Sequence, residues 1–245
     1  MKITENFLTP NKYSRPQKPL EKVTKIAVHY VGNPNTSAAA NRNYFENQKN
    51  GGTYVSSHYI IGLQGEIIQC IPLNEISYCT NQANSYSVSI ECCHPDSTGK
   101  FNEATEQSLV ELCAYLLEKF GLGTEDIIRH YDVTGKQCPL YWSPTKYQSA
   151  EVANARFKAF KDRVAALIAV DKPAAKYYVQ VGAFSSKSNA EAYWSTVQKA
   201  YPDAFIKKLE AMYYVQVGAF ANKSNAETYL AKVKKTYPDA FIKIF

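Results

Sequence analysis

The feature that most constrains the fold of this chain is an internal repeat near its end. The segment Tyr178–Phe184, with the sequence YVQVGAF, recurs as Tyr214–Phe220. The segment Ala204–Lys207, with the sequence AFIK, recurs as Ala240–Lys243, and both pairs are separated by an offset of 36 residues without any gap. Because such a period marks a duplicated structural unit, the two copies are expected to adopt the same local structure.

Each copy has the pattern of a strand, a helix and a second strand. Alternating residues predict the first strand, a helix is expected to begin at Lys187, and Tyr201–Asp203 breaks it before a short apolar strand. One copy cannot bury its own sheet face, whereas two copies can form one ferredoxin-like layer of four strands under two helices. The repeat therefore predicts a single small βαββαβ domain over residues 177–245, with Phe184 and Phe220 packed under the helices.

The rest of the chain predicts a larger α/β domain over residues 1–168, followed by a linker over 169–176 that lacks apolar periodicity. Apolar periodicity predicts helices near 103–120 and 151–168, the first of them ended by Gly121. Apolar segments predict five strands, near residues 25–31, 57–62, 66–70, 88–92 and 127–130. Strands that alternate with helices favour a mixed central sheet flanked by helices.

Three soft metal ligands lie where strands of this sheet, or the loops that leave them, could aim them at one ion. His29 closes an apolar run, His130 follows another, and Cys138 lies eight residues further on. Both histidines are interpreted as residues on short buried strands. Two imidazoles and one thiolate leave a tetrahedral zinc ion one ligand short, which is typical of a catalytic site. The spacing alone does not prove the site, and cobalt could occupy the same ligands.

A hydrolytic zinc site also needs an acid/base group and a group that stabilises an oxyanion. Glu91 is the leading candidate for the acid/base, because it lies in an apolar strand where an unpaired charge is costly. The alternative is a buried structural salt bridge. Lys136, two residues before Cys138, is placed to stabilise the oxyanion.

Four segments of the first domain carry a resemblance to a known family, in the order AVHYVGN, SSHYIIGLQGEIIQCIP, SVSIECCHPDSTGKF and RHYDVTGKQCP. They resemble the zinc-dependent N-acetylmuramoyl-L-alanine amidases of the phage endolysin and autolysin type, the amidase-2 family. The resemblance implies Zn²⁺ bound by His29, His130 and Cys138, and a catalytic glutamate that falls on Glu91. One branch of the family carries a catalytic tyrosine where this chain has Ser57, which further favours Glu91.

The QVGAF motif and the duplicated topology resemble the SPOR family of peptidoglycan-binding domains, whose ligand is the glycan strand. In an alternating strand Tyr178 and Gln180 point away from the helices, as do Tyr214 and Gln216 in the second copy. These side chains are expected to form an open polar face on which a sugar chain could lie. The tyrosines are glycan-binding candidates because flat rings suit sugar faces. The glutamines are candidates because the resemblance implies them.

Other polar residues of the first domain have weaker claims to a site. His58 lies in an alternating strand and is interpreted as a core histidine with satisfied hydrogen bonds. His94 is expected to line the substrate groove or to face solvent. Asp132 is a weaker candidate, for a contact that orients His130.

The six cysteines are interpreted as reduced thiols, because they do not show the pattern of a small disulfide-rich domain. Cys113 belongs to the apolar stripe of its helix and is assigned to the core. Cys92 and Cys93 are adjacent on a strand and point to opposite faces, so they are not expected to bind one metal ion.

Charge is unevenly distributed: residues 1–170 carry 17 basic and 16 acidic side chains, whereas residues 171–245 carry 11 and 6. This asymmetry indicates an anionic partner or serves solubility. A nucleic-acid partner is disfavoured because many of the lysines lie in helices and at their ends. The sequence has neither a long apolar run nor an evident secretory segment, so we expect no membrane insertion. Synthesis in the host cytoplasm and action on the cell wall after release are therefore expected.

The resulting hypothesis is a peptidoglycan hydrolase, an endolysin or autolysin, whose first domain cleaves the amide between N-acetylmuramic acid and L-alanine by zinc-activated water. Its second domain holds the enzyme on the glycan. The alternative is a non-catalytic peptidoglycan-recognition protein that binds muropeptide and glycan. The sequence does not settle the oligomeric state.

Overall fold

The computed structural model describes residues 1–171 and 177–244, with only the backbone of residues 170 and 171. The chain forms two compact units, Met1–Ala169 and Val170–Phe245. The predicted linker, 169–176, begins within a helix that runs to Asp171. Its remaining residues, 172–176, lie outside the described part of the chain.

The first unit contains six strands in one mixed sheet. They are β1 (Ile3–Glu5), β2 (Lys25–Tyr30), β3 (Tyr59–Ile61), β4 (Ile67–Gln69), β5 (Ser87–Cys92) and β6 (Ile127–Arg129). Their order is β1-β4-β3-β5-β2-β6. Among neighbouring described strands of this sheet, the pair β3 and β4 is antiparallel and the other pairs are parallel. The mixed sheet confirms the predicted fold class, and β1 is a strand that the sequence analysis does not predict.

Four α-helices accompany this sheet: α1 (Ala38–Asn47), α2 (Glu103–Phe120), α3 (His130–Thr134) and α4 (Ala150–Asp171). Helix α2 has the predicted bounds, because the Asn102 side chain caps its first turn and Gly121, with φ of 66°, ends it in the left-handed region. Helix α4 runs three residues beyond its predicted end. Helix α1 was not predicted, because only two of its residues are buried and its apolar periodicity is weak.

Successive side chains of β2 point to opposite faces of the sheet, and only one of these faces contributes to the main hydrophobic cluster. Ile26 and Val28 belong to the main hydrophobic cluster, which also contains the buried stripe of α2. Because side chains alternate along a strand, Ala27 and His29 lie on the opposite face. Trp142 closes the main cluster by stacking on Phe160, with ring centroids 4.7 Å apart.

The second unit has the predicted order of elements. They are β7 (Tyr177–Phe184), α5 (Lys187–Val197), β8 (Phe205–Leu209), β9 (Met212–Phe220), α6 (Lys223–Val233) and β10 (Phe241–Ile244). The strands form an antiparallel sheet in the order β10-β7-β9-β8. Phe184 and Phe220 contact Tyr193 and Tyr229 of the two helices, with ring centroids 5.2 and 5.3 Å apart. Their predicted packing under the helices is confirmed.

Candidate metal centre and sheet face

The carboxyl ends of three parallel strands bring the metal-site candidates together. In the register of β2 and β5, His29 lies directly beside Glu91. On the other side of β2, strand β6 ends at Arg129, and His130 is the first residue of α3. His130 therefore lies on a helix and not on a strand, which corrects the sequence interpretation. Its position at the strand edge is nevertheless adjacent to His29, because parallel neighbours end on the same side of a sheet.

The two histidines and the cysteine converge on one point. One ligand atom from each of His29, His130 and Cys138 can be chosen so that all lie within 4.8 Å of one another. Nδ1 of His29 is 3.5 Å from Sγ of Cys138, and the two imidazole centroids are 4.9 Å apart. All three side chains are buried. This geometry fits a single cation held by the three groups.

The protonation preferences of these groups also fit a cation. Burial, together with nearby positive charge, lowers the pKa of His29 well below its ordinary value and that of His130 to about 4. Burial raises the pKa of Cys138 to about 12, so its thiolate needs a positive partner. Nδ1 of His130 is buried and has no hydrogen-bond partner among the described residues. A neutral imidazole nitrogen without a hydrogen-bond partner is a ligand atom suited to zinc.

Thr80 orients the first histidine. Its Oγ1 is 2.9 Å from Nε2 of His29, so Nδ1 is left to face Cys138. The Asn84 side chain holds this segment by accepting from the backbone N–H groups of Cys79 and Thr80. A metal-binding histidine commonly uses its second ring nitrogen in this manner. Thr80 is not predicted as a site residue, because nothing in the sequence indicates that it meets His29.

Glu91 lies at the same strand edge with one oxygen engaged and one free. The thiol of Cys79 donates to its Oε1, at 3.6 Å, and Oε2 is buried without a partner among the described residues. Burial raises the pKa of Glu91 to about 8, although the Cys79 thiol and the Lys136 charge act in the opposite direction. Glu91 forms no ion pair within the described chain, so the alternative of a buried salt bridge is not what the structure shows.

Lys136 is an exposed residue of the loop between α3 and Cys138. Its positive charge lowers the pKa of both Glu91 and Cys138 and disfavours protonation of the two histidines. Its backbone carbonyl accepts from the N–H of Cys138, at 2.7 Å. The structure thus places Glu91 directly beside His29 and the backbone of Lys136 beside Cys138.

The second unit presents a face opposite its helices on which the repeat is laid out with approximate two-fold symmetry. Gln180 of β7 pairs in register with Gln216 of β9 at its centre. Phe241 lies beside Gln180, and Phe205 lies beside Gln216. The predicted glutamines are not open to solvent: Gln180 is 4% exposed and Gln216 is 0% exposed. That expectation of an open polar face is therefore wrong at its centre.

The tyrosine rings of this face are partly buried, and the ammonium group of a lysine lies over each of them. Nζ of Lys207 is 3.9 Å from the ring centroid of Tyr178, and Nζ of Lys243 is 5.8 Å from that of Tyr214. Both glutamines retain buried amide atoms without a hydrogen-bond partner among the described residues. The sequence analysis does not name Lys207 or Lys243 as site residues, although the repeated AFIK motif contains both.

Comparison with known proteins finds a family match for each of the two units. Residues 19–140 match the family described as N-acetylmuramoyl-L-alanine amidase, Amidase_2, and residues 173–244 match the SPOR domain. The chain carries an amidase-2 domain and a SPOR domain.

Two relatives illustrate the similarity of sequence. The N-acetylmuramoyl-L-alanine amidase BlyA of Bacillus subtilis strain 168 is 35% identical over 190 residues, which cover 67% of this chain and 47% of BlyA. The amidase CwlL of Bacillus licheniformis is 35% identical over 161 residues, which cover 58% of this chain and 43% of CwlL. The chain thus spans somewhat less than half the length of either relative.

A solved structure supports the fold of the amidase domain. The structure of PlyL is 25% identical, covers 67% of this chain and 97% of its own, and superposes with a TM-score of 0.54. The covered share corresponds to one domain rather than to the whole chain.

Other polar residues of the amidase domain have structural roles. His58 is fully buried, and its ring nitrogens contact Ser89 and the carbonyl of Glu75, so its interpretation as a satisfied core histidine is confirmed. Asp132 accepts from the backbone and guanidinium of Arg129, and so it caps α3 and does not orient His130.

His94 does not face solvent, since it is 2% exposed and its Nδ1 contacts the carbonyl of Asp96. Cys113 is buried in the main cluster, as predicted, and Cys92 and Cys93 belong to different clusters on the two faces of the sheet. Within the described residues, no helix is both long and apolar enough to span a bilayer.

Proposed function

We propose that the amidase domain hydrolyses the amide bond between N-acetylmuramic acid and L-alanine in peptidoglycan, while the SPOR domain holds the enzyme on the glycan strand. The observation that carries the proposal is the meeting of two imidazoles, a thiol and a carboxylate with one unpartnered oxygen at one strand edge of an amidase-2 domain. The names of the relatives BlyA and CwlL agree with this activity.

His29, His130 and Cys138 would hold a zinc ion, with Thr80 fixing the ring of His29. Zinc bound in this way would supply a Lewis acid and lower the pKa of a coordinated water to about 7. The histidines are suited to this because burial keeps them neutral. Three protein ligands leave a fourth position open to water or substrate.

Glu91 would move the protons of the reaction. Its unpartnered Oε2 is positioned to accept a proton from the attacking water and to deliver it to the departing amine of L-alanine. Burial raises the pKa of Glu91 to about 8, so the carboxyl group can both accept and release a proton near neutral pH. Cys79 holds the other oxygen and so limits rotation of the carboxylate.

Lys136 would stabilise the negative charge that develops on the amide oxygen. Its ammonium group is exposed and therefore accessible to a substrate bound over the centre. A fixed positive charge at this place is worth most when the substrate excludes water from the site.

The SPOR domain would bind glycan through the face that contains Tyr178, Gln180, Tyr214 and Gln216. The partly exposed tyrosine rings offer surfaces on which sugars can stack. The buried amides of the glutamines offer donors and acceptors that have no partner among the described residues. Because these amides are covered, their contact with sugar hydroxyls requires side chains of the face to move.

The test is digestion of purified peptidoglycan by the zinc-loaded full chain, with mass spectrometry of the products and measurement of newly exposed N-terminal L-alanine. We expect the wild type to release both free glycan and stem peptide. Glu91→Gln should lower the turnover number by a factor of about 10² to 10⁴, as for loss of a general base, with no loss of the metal held by His29, His130 and Cys138. Glu118→Gln, an exposed change of the same type on α2, serves as the matched control.

The outcomes separate the two hypotheses. Metal binding without any release of L-alanine by the wild type would overturn the amidase and support a non-catalytic recognition protein. Release that is unchanged in Glu91→Gln would keep the amidase and remove Glu91 from its mechanism.

A further inference from the structure

The proposed mechanism gives Cys79 only a supporting role, yet its position is unusual among the cysteines. Five of the six cysteines are buried, and Cys79 is the one that is partly exposed. Its Sγ lies 3.6 Å from Oε1 of Glu91. A partly exposed thiol, a carboxylate and the imidazole of His29, which the first site also uses, are groups that can bind a metal ion.

These groups form a second cluster next to the first. One ring nitrogen of His29, Sγ of Cys79 and a carboxylate oxygen of Glu91 can be chosen so that all lie within 4.8 Å of one another. Oε2 of Glu91 is buried and has no partner among the described residues, so the carboxylate retains an oxygen for another ligand. Thiolate, imidazole and carboxylate together are donors that bind zinc.

The cluster is held in place by its surroundings. Asn84 accepts from the backbone N–H of Cys79, at 3.0 Å, and from that of Thr80, at 2.7 Å. Glu91 is fixed by the pairing of β5 with β2 and β3. A metal ion could therefore be bound here without refolding of either element, which reduces the cost of forming the site.

We propose that Cys79 and Glu91, beside His29, form a second Zn²⁺ position that fills at excess metal and inhibits the enzyme by occupying Glu91. Nδ1 of His29 faces Cys138 and so belongs to the first position. Cys79 and Glu91 are therefore the ligands that only the second position uses. With fewer ligands of its own, this position fills after the first. Binding displaces the Cys79 thiol proton to solvent, and water completes the coordination.

The metal-binding part of this inference is independent of the proposed function, whereas the inhibitory part rests on it. Occupancy should be measured first, by equilibrium dialysis of the full reduced chain against Zn²⁺. We expect two equivalents for the wild type and one for Cys79→Ser. Cys113→Ala, which removes a buried thiol from α2, is the matched control and should bind two.

Spectroscopy with Co²⁺ identifies the ligands. The second equivalent should add thiolate-to-metal absorption in the wild type and in Cys113→Ala, but not in Cys79→Ser. Retention of the first equivalent by Cys79→Ser shows that this variant is folded. A single equivalent in the wild type, or two in Cys79→Ser with unchanged absorption, overturns the second position.

Inhibition is then compared as a ratio within each variant, so that differences in basal activity cancel. Activity of the wild type should fall at least about tenfold between one equivalent and a large excess of Zn²⁺. The metal concentration needed should rise at least about 10- to 100-fold in Cys79→Ser, because loss of a ligand costs no less than loss of a group that only orients one. Two bound equivalents without inhibition would support the second metal position but overturn its regulatory role. A chain that binds no metal at all would overturn the proposed function as well.

Discussion

The amidase and SPOR domains both bury polar atoms that lack a partner among the described residues, but they assemble these atoms differently. In the amidase domain they include Nδ1 of His130 and Oε2 of Glu91, which are far apart in sequence and lie at the same sheet edge, on either side of β2. In the SPOR domain they are the amides of Gln180 and Gln216, one residue type placed twice by duplication and paired across two strands.

The difference indicates what each domain can bind. A buried polar atom without a partner costs about 1 to 3 kcal/mol, so it requires an explanation. An imidazole nitrogen, a thiol and a carboxylate at one point are complementary to a cation. Neutral amides that donate and accept are complementary to hydroxyl groups, and aromatic rings beside them suit the apolar faces of sugars. The first arrangement is compatible with the proposed hydrolysis, and the second with the proposed retention on glycan.

The largest of three further expected effects concerns Thr80 and should distinguish the two domains. Thr80→Val keeps the side-chain shape but removes the hydrogen bond to Nε2 of His29. We expect the affinity for the first zinc ion to fall about 10- to 100-fold, as for other groups that orient a metal ligand. Competition with a chelator measures it, with Thr80→Ser as the control that restores the hydroxyl. Glycan binding by the SPOR domain should not change, and an unaltered zinc affinity would contradict the role assigned to Thr80.

A change of intermediate size tests whether the SPOR glutamines serve binding or stability. Gln216→Leu replaces an unpartnered buried amide by an apolar group of similar size. We expect unchanged or increased thermal stability, and a loss of glycan affinity of about tenfold, equivalent to about 1.4 kcal/mol. Calorimetric unfolding and sedimentation with purified glycan strands provide the two readouts. Gln198→Leu on the helix side is the control, and lower stability with intact glycan binding in Gln216→Leu would make the amide structural.

The smallest expected effect concerns a carboxylate of the amidase domain that, unlike Glu91, has hydrogen-bond partners for both of its oxygens. Burial alone would raise the pKa of Glu46, but hydrogen bonds from Lys49 and Thr9, with the charge of Arg42, lower it from 4.5 to about 2. Because the folded-state pKa is depressed, the stabilisation is present above pH 4.5 and is lost as the pH falls towards 2.

Glu46→Gln should therefore lower the free energy of unfolding by about 1 kcal/mol near neutral pH, since the group is near the surface and partly screened. The difference from the wild type should shrink as the pH is lowered below 4.5. Denaturant unfolding at several pH values measures it. Asp162→Asn, which breaks an exposed ion pair with Lys158, should have little effect at any pH. A difference that grows at low pH would show that the partners of Glu46 do not stabilise its charge.

Much of this architecture was predictable because it depends on local pattern. The repeat determined the SPOR topology, and the caps of α2 marked both of its ends. The convergence of His29, His130 and Cys138 followed from strand ends that share an edge. Thr80 and Cys79 could not be predicted, because they reach the centre from a loop whose path depends on Asn84 and on packing. The burial of Gln180 and Gln216 was also missed, because alternation gives the face of a side chain but not what covers it.

The symmetric layout of the SPOR face has a consequence for directionality. Each glutamine has a phenylalanine beside it, and each tyrosine has a lysine directly across the strand pair, in both copies of the repeat. Rotation by half a turn about the Gln180–Gln216 pair exchanges one copy for the other. A polymer with distinct ends would therefore meet the same order of side chains whichever end came first, so such a surface would anchor the chain to a strand without dictating the direction in which it points.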